Sequence, residues 1–215
     1  MNMYIRIWIV FILCNCKGLH GFSQNEIING KWNNKYLQDS SDELCSDISF
    51  QYGLTIDSSN FMYDLFFINS IFNSNVKLHS SIFSEQTDFT AAVFKDSVIL
   101  RGLQFYKDVS FDNAIFSKYA SFSDMIFNDN AEMTFNKARL PDTIIFDYNS
   151  KIPNIDFSAA QFYRDNVRHS ISLWGTDISK LKLDYIHFKL IWINYSNFPM
   201  SQEEKATVYE ELLNN

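Results

Sequence analysis

The side chains that could carry chemistry are few and scattered. If a leader ending at Ser23 is removed, the histidines left are His79, His169 and His187, each isolated in its stretch of sequence. A metal centre needs several His, Cys, Asp or Glu ligands converging at short, fixed spacings, and none of the three has such a neighbour. Cys45 would then be the single thiol, too few for an internal disulfide or a zinc cluster. A nucleophilic site needs a positioned base, and the sequence has no G-x-S-x-G, no P-loop and no G-x-G-x-x-G. General acid–base work needs two titratable groups held together. The one irregular stretch with room for them, "NKARLPDTIIF", lacks a paired acid and base. These residues point away from an enzyme and call for no cofactor and no metal.

The chain is instead organised by a repeat. In "IFSEQTDFTAAVFKDSVILRG" the residues Phe83, Phe89, Phe94 and Leu100 stand six, five and six apart. A helical face returns every three or four residues and a strand face every two, so neither gives this rhythm. From residue 49 the chain divides into eight units of eleven, SFQYGLTIDSS to IFNDNAEMTFN. Positions two and eight of every unit are apolar, and most of them are Phe. They include Phe83, Phe89, Phe94, Phe105, Phe111, Phe116, Phe122 and Phe127, the predicted structural core. Positions six and eleven, two before each large residue, hold small or β-branched residues such as Val76, Ala92, Val98, Val109, Ala114 and Ala120.

Two residues are read as inserted after Met133, where the rhythm loosens toward fives. The large slots then fall on Leu140, Phe146, Ile152, Phe157, Phe162, Val167, Leu173, Ile178, Leu183, Phe188, Ile193 and Phe198. One large and one small residue every five or six positions suit a chain that turns a corner at each unit, so that four sides close a square coil. Two units make a coil of 22, and coils stacked by parallel hydrogen bonds lie roughly 4.8 Å apart. Residues 48–198 would give about seven coils and a rod of roughly 33 Å.

At these residues, and most closely at "FDNAIFSKYASF", the chain resembles the pentapeptide repeat family, in the branch with alternating five- and six-residue steps. The resemblance implies an all-β fold, a right-handed quadrilateral parallel β-helix. Leu103, Met125, Leu181, Ile186 and Ile191 occupy small slots and depart from the pattern. Some family members are acidic rods that mimic DNA and bind DNA gyrase in the cytoplasm, so the resemblance offers that reading as well.

The flanks read differently. "MNMYIRIWIVFILCNCKGLHGFSQ" has Arg6, an apolar run from Ile7 to Cys14 and small residues at Gly21 and Ser23, the pattern of a signal peptide cleaved after Ser23. An alternative makes Cys16 the acylated first residue of a lipid-anchored protein. Residues 24–47, with Trp32, Tyr36 and Leu37, are read as an N-terminal cap. Residues 199–215 are read as a C-terminal helix: Ser201 is its N-cap, Glu204 completes a capping box, and Val208, Leu212 and Leu213 form an apolar stripe. That stripe should lie across the last coil, because exposed solenoid ends associate unless covered.

Stepping by 22 along the sequence places outward residues in columns. Glu85, Lys107 and Asp129 share one column, Asp96 and Lys118 another, and His79 falls between Asp57 and Arg101, while His187 should face outward. The net charge is −7, and removal of Arg6 and Lys17 with the leader would make it −9. Such a surface repels phosphate and argues against nucleic acid. Export removes the chain from a cytoplasmic gyrase. The expected function is a non-catalytic exported structural or protein-interaction solenoid with an unknown protein partner, secreted or in the cell envelope. The alternative is the soluble N-terminal part of a membrane-associated assembly, tethered by Cys16 or by a C-terminal extension.

Overall fold

The computed structural model describes residues 31–33, 36–37, 43–44, 46–148, 152–162, 168–176, 179–183, 186–193 and 198–214. The chain forms a parallel β-solenoid of about six turns with one short C-terminal helix. Among the described residues its four main sheets hold eight, five, five and six strands, and the strands of each sheet come from successive turns. Every strand-to-strand pairing among the described residues is parallel, as a coil that always advances in one direction requires. The first sheet includes Leu54–Asp57, Val76–His79, Val98–Arg101, Tyr119–Ser123 and Thr143–Asp147. The other three are built from two-residue strands such as Ile82–Phe83, Thr87–Asp88 and Val93–Phe94.

Register follows the 22-residue step. Phe61, Phe83, Phe105 and Phe127 lie one above another on the second side. Phe50, Phe72, Phe94 and Phe116 do so on the fourth. Each coil therefore repeats the side chains of the last, and the rings stack: Phe72–Phe94 centroids are 5.1 Å apart and Phe83–Phe105 centroids 5.0 Å. Rings on adjoining sides meet edge-on or tilted, as Phe67 with Phe72 at 5.9 Å and Phe89 with Phe94 at 5.8 Å. Stacked and edge-to-face contacts are the two geometries aromatic pairs favour. Phe83, Phe89, Phe94, Phe105, Phe111, Phe116, Phe122 and Phe127 all belong to the largest fully buried side chains. The smaller residues Val76, Ala92, Val98, Val109, Ala114 and Ala120 are buried beside them.

The corners repeat as well. Left-handed backbone recurs at Asp47, Ser58, Asn69, Ser80, Ala91, Gly102, Asn113 and Asp124, always eleven residues apart, and then at Lys137 and Tyr148. Most of these are Asp, Asn, Ser or Gly, several of which accept the left-handed region at low cost. This conformation lets the chain turn sharply and carry the next strand along the neighbouring side. Ala91, Lys137 and Tyr148 adopt it without that advantage.

The structure differs from the expected pattern in several places. The two extra residues precede Met133 rather than follow it. Met133 pairs with Val109 in a small slot, and Phe135 takes the large slot, stacked on Phe111 at 5.3 Å. The corner between Phe127 and Met133 absorbs the extra length because corners, unlike strands, face water. At the far end Phe198, expected in a large slot, is 66% exposed, while Trp192 rather than Ile193 packs against the core. The last step on the first sheet is shorter than the usual coil, His169 pairing with Phe188, so the expected count of fives runs out of register there. At the near end Lys31–Asn33, Tyr36–Leu37 and Glu43–Leu44 pair in parallel with the strands at Leu54–Asp57, Asn60–Phe61 and Leu65–Phe66. The chain there is laid as a turn of the same coil. The stretch read as a signal peptide, Cys16, Cys45, Val167 and Ile178 lie outside the described residues.

The helix Gln202–Asn214 begins with a reciprocal capping box. The Glu204 amide donates to Ser201 Oγ at 3.2 Å, and the Ser201 amide donates to Glu204 Oε2 at 2.7 Å. Val208 is buried in the core cluster and Leu212 packs against it, whereas Leu213 is 85% exposed. The Tyr209 ring lies 4.9 Å from Trp192. The helix thus covers the end of the coil with part of the expected stripe, through Val208 and Leu212.

Candidate functional site

With its axis filled by side chains, the rod can offer a partner only its outer faces and corners. The side chains there sort by what they bond. Many carboxylates are tied to the backbone of the next coil. Asp64 Oδ1 accepts the Gln86 amide at 2.9 Å, Asp108 Oδ1 the Glu132 amide at 2.8 Å, and Asp112 Oδ1 the Asn136 amide at 2.9 Å. Corner amides that leave the ladder need acceptors, and a carboxylate one coil earlier supplies one. Sequence reasoning takes the acids as a solvated surface and misses this role. The recurrence of acids at the same unit position, as in Asp64 and Asp108, is the available signal.

The Asp96–Lys118 pair forms where the 22-residue step puts it. Lys118 Nζ lies 3.0 Å from Asp96 Oδ1, and the Asp96 carboxyl is held below its usual range first by the hydrogen bond from Lys118. Farther along, Lys182 Nζ lies 2.8 Å from Asp156 Oδ2. That contact first, then the Ser158 side chain and amide, bring the Asp156 carboxyl down to about 2. Arg101 Nε lies 3.3 Å from Asp124 Oδ2. These pairs are exposed and fix register weakly, each contributing about 1 kcal/mol or less.

The histidines are not brought together. His79 pairs in register with Asp57 on one side and Arg101 on the other. His169 is buried, its Nδ1 2.7 Å from the Pro141 carbonyl oxygen. His187, expected to face outward, is half-buried. Among the described residues, no group of three or more His, Cys, Asp or Glu is placed to hold a metal ion.

A buried polar network on the outer side of the first sheet has no counterpart in the sequence reading. Ser121, Ser123, Asp147 and Ser172 alternate with the inward Ala120, Phe122, Phe146 and Ile171, yet all four are buried. The Ser172 hydroxyl is shared between Asp147 Oδ1 at 3.0 Å and the Ile193 carbonyl at 2.6 Å. Ser121 Oγ and Ser123 Oγ are 3.1 Å apart. Burial pushes the nearby Tyr119 phenol above its ordinary value, and Asp147 adds to the rise. Hydroxyls bonded to a carboxylate in this way hold strands and the returning chain at Ile193 together. The signal is there in "YASFSD", where Ser recurs at strand spacing.

Residues 67–115 match the family model of pentapeptide repeats (9 copies). The matched stretch lies within the part of the coil that keeps the 22-residue register without insertion. No curated protein and no solved structure matches the chain. The chain carries pentapeptide repeats, and their solenoid fits a non-catalytic repeat protein.

Proposed function

We propose that this pentapeptide-repeat solenoid is an exported structural or protein-interaction rod, whose outer faces meet a protein partner in the cell envelope or outside the cell. The observation that carries the reading is the filled axis: from Phe50 to Phe157 the interior is a continuous set of aromatic contacts, so recognition falls to the surface. Flat sides with side chains repeating at each coil suit contact with another macromolecule. The N-terminal sequence, with Arg6 before an apolar run and Ser23 at the end, supports export.

Mass spectrometry of the mature N-terminus, followed by capture of partners from envelope extract with the mature chain as bait, tests this. A free Gln24 and a specific envelope protein on the bait are the expected results. An intact leader with the protein in the cytoplasm would contradict export. An acylated Cys16 would instead make the rod the soluble part of a tethered assembly.

A further inference from the structure

His79 occupies the middle of a column on the outer side of the first sheet. Asp57 lies one coil before it and Arg101 one coil after, each in register. Lys77, two residues earlier on the same strand, faces the same side. Arg101 is itself paired with Asp124, and Asp57 Oδ1 accepts the Ser58 hydroxyl at 3.2 Å. The backbone at His79 is anchored, because its carbonyl accepts the Ser81 hydroxyl at 2.7 Å and the Ser58 amide at 3.2 Å. The ring is half-buried, and among the described residues its buried Nε2 has no hydrogen-bond partner.

A neutral imidazole needs only one donor satisfied, whereas an imidazolium carries donors on both nitrogens. Protonating His79 therefore creates a buried N–H with nothing to receive it. Of the charged groups facing the ring, Lys77 and Arg101 have the same sign as the new charge, and Asp57 is the adjacent opposite one. We propose that the Asp57–His79–Arg101 column is an acid-operated joint, in which a protonated His79 leaves its buried position and swings toward Asp57. The outer column then changes from negative, neutral, positive to negative, positive, positive, and the sheet loosens locally while the Phe stack stays closed. Burial is the main cause holding the imidazole below its ordinary value of 6.5, with Asp57 acting against it and Arg101 and Lys77 adding to it. The unfolded chain thus binds the proton first, so stability is complete above about pH 6.5 and falls as pH drops through that value. The joint stands independently of what the rod binds.

Two measurements on the mature chain test it: an NMR titration of the His79 ring, and denaturant midpoints between pH 8 and pH 5 for the native chain, His79→Gln and Asp57→Asn. The ring should titrate below 6.5. The midpoint should fall on acidification in the native chain, less in His79→Gln, and more in Asp57→Asn, where the displaced cation loses its partner. A ring that titrates at or above 6.5 overturns the proposal. So does a His79→Gln chain whose midpoint falls as steeply as the native one, because the slope would then not come from His79. The titration of the native chain decides the matter even where a variant fails to fold.

Discussion

Phe111 and Phe135 stack with ring centroids 5.3 Å apart and planes 13° from parallel, although they stand two positions farther apart in the chain than the usual step. The coil keeps its aromatic column and lets the corner between Phe127 and Met133 lengthen. Ring stacking in a filled interior is therefore the stronger constraint, and corner length the weaker one. Phe83 and Phe105 stack on the rings above and below, and Phe72, Phe89, Phe94 and Phe111 also meet rings on the adjoining side, so a change at one slot is felt by its neighbours.

The interior slots should be intolerant for this reason. Phe105→Asp places a carboxylate between the Phe83 and Phe127 rings in the buried apolar core, and is expected to cost several kcal/mol. Glu85→Ala on the exposed corner should cost under about 1 kcal/mol. Denaturant midpoints check both, and equal shifts would show the facing to be wrong.

Thr87 is a flaw that can be repaired. It is fully buried in a small slot between Leu65 and Val109, and its hydroxyl has no hydrogen-bond partner among the described residues. Thr87→Val keeps the shape and removes the stranded hydroxyl, so it should raise stability by about 1 kcal/mol. An unchanged or lower midpoint would mean that the hydroxyl is satisfied in solution.

The corners make an opposed pair of predictions. Ala91 has φ of 57° and Gly102 has φ of 63°. Ala91→Gly should stabilise and Gly102→Ala destabilise, each by about 1 kcal/mol. A Cβ at Gly102 would come no closer than 3.7 Å to its neighbours, so backbone conformation alone sets the effect. Gly53→Ala should cost more than Gly102→Ala, because its Cβ would collide with the Asn75 carbonyl oxygen. Thermal melts of the three variants check the order.

Acid should act on the Asp156–Lys182 pair in a narrow range. The Asp156 carboxyl stands at about 2, below its ordinary 3.8, so its contribution is complete above about pH 3.8 and is lost as pH falls through 2. The pair is exposed, and the effect on stability should stay below about 1 kcal/mol. Lys182→Met should return the carboxyl toward 3.8, as read by carbon NMR of its side chain. An unmoved titration would show that the Ser158 contacts alone depress it.

Much of the fold was legible because its driving residues are large and periodic. Phe at alternating steps of five and six announces inward slots whatever the corners do, and it located the coil from residue 49 to residue 127. The displaced insertion at Met133 was hidden because Met suits both a large and a small slot, and only pairing with Val109 decides between them. Near Phe198 the pentad spacing persists in sequence while the chain has already left the axis, since the helix through Val208 closes the end instead. The buried Asp147 and Ser172 could not be found from facing alone, because outward positions normally meet water. Surface columns such as Asp96 and Lys118 were legible because register follows once the step is known.

The register of successive coils underlies every residue placed inside or outside the rod, and proton NMR of residues 24–215 tests it most directly through cross-strand contacts. Nuclear Overhauser effects are expected from Phe83 to Phe105, from Phe105 to Phe127, and from the Phe111 ring to the Phe135 ring. Contacts from Phe111 to Met133 in place of Phe135, or no contacts at the 22-residue step, would contradict it.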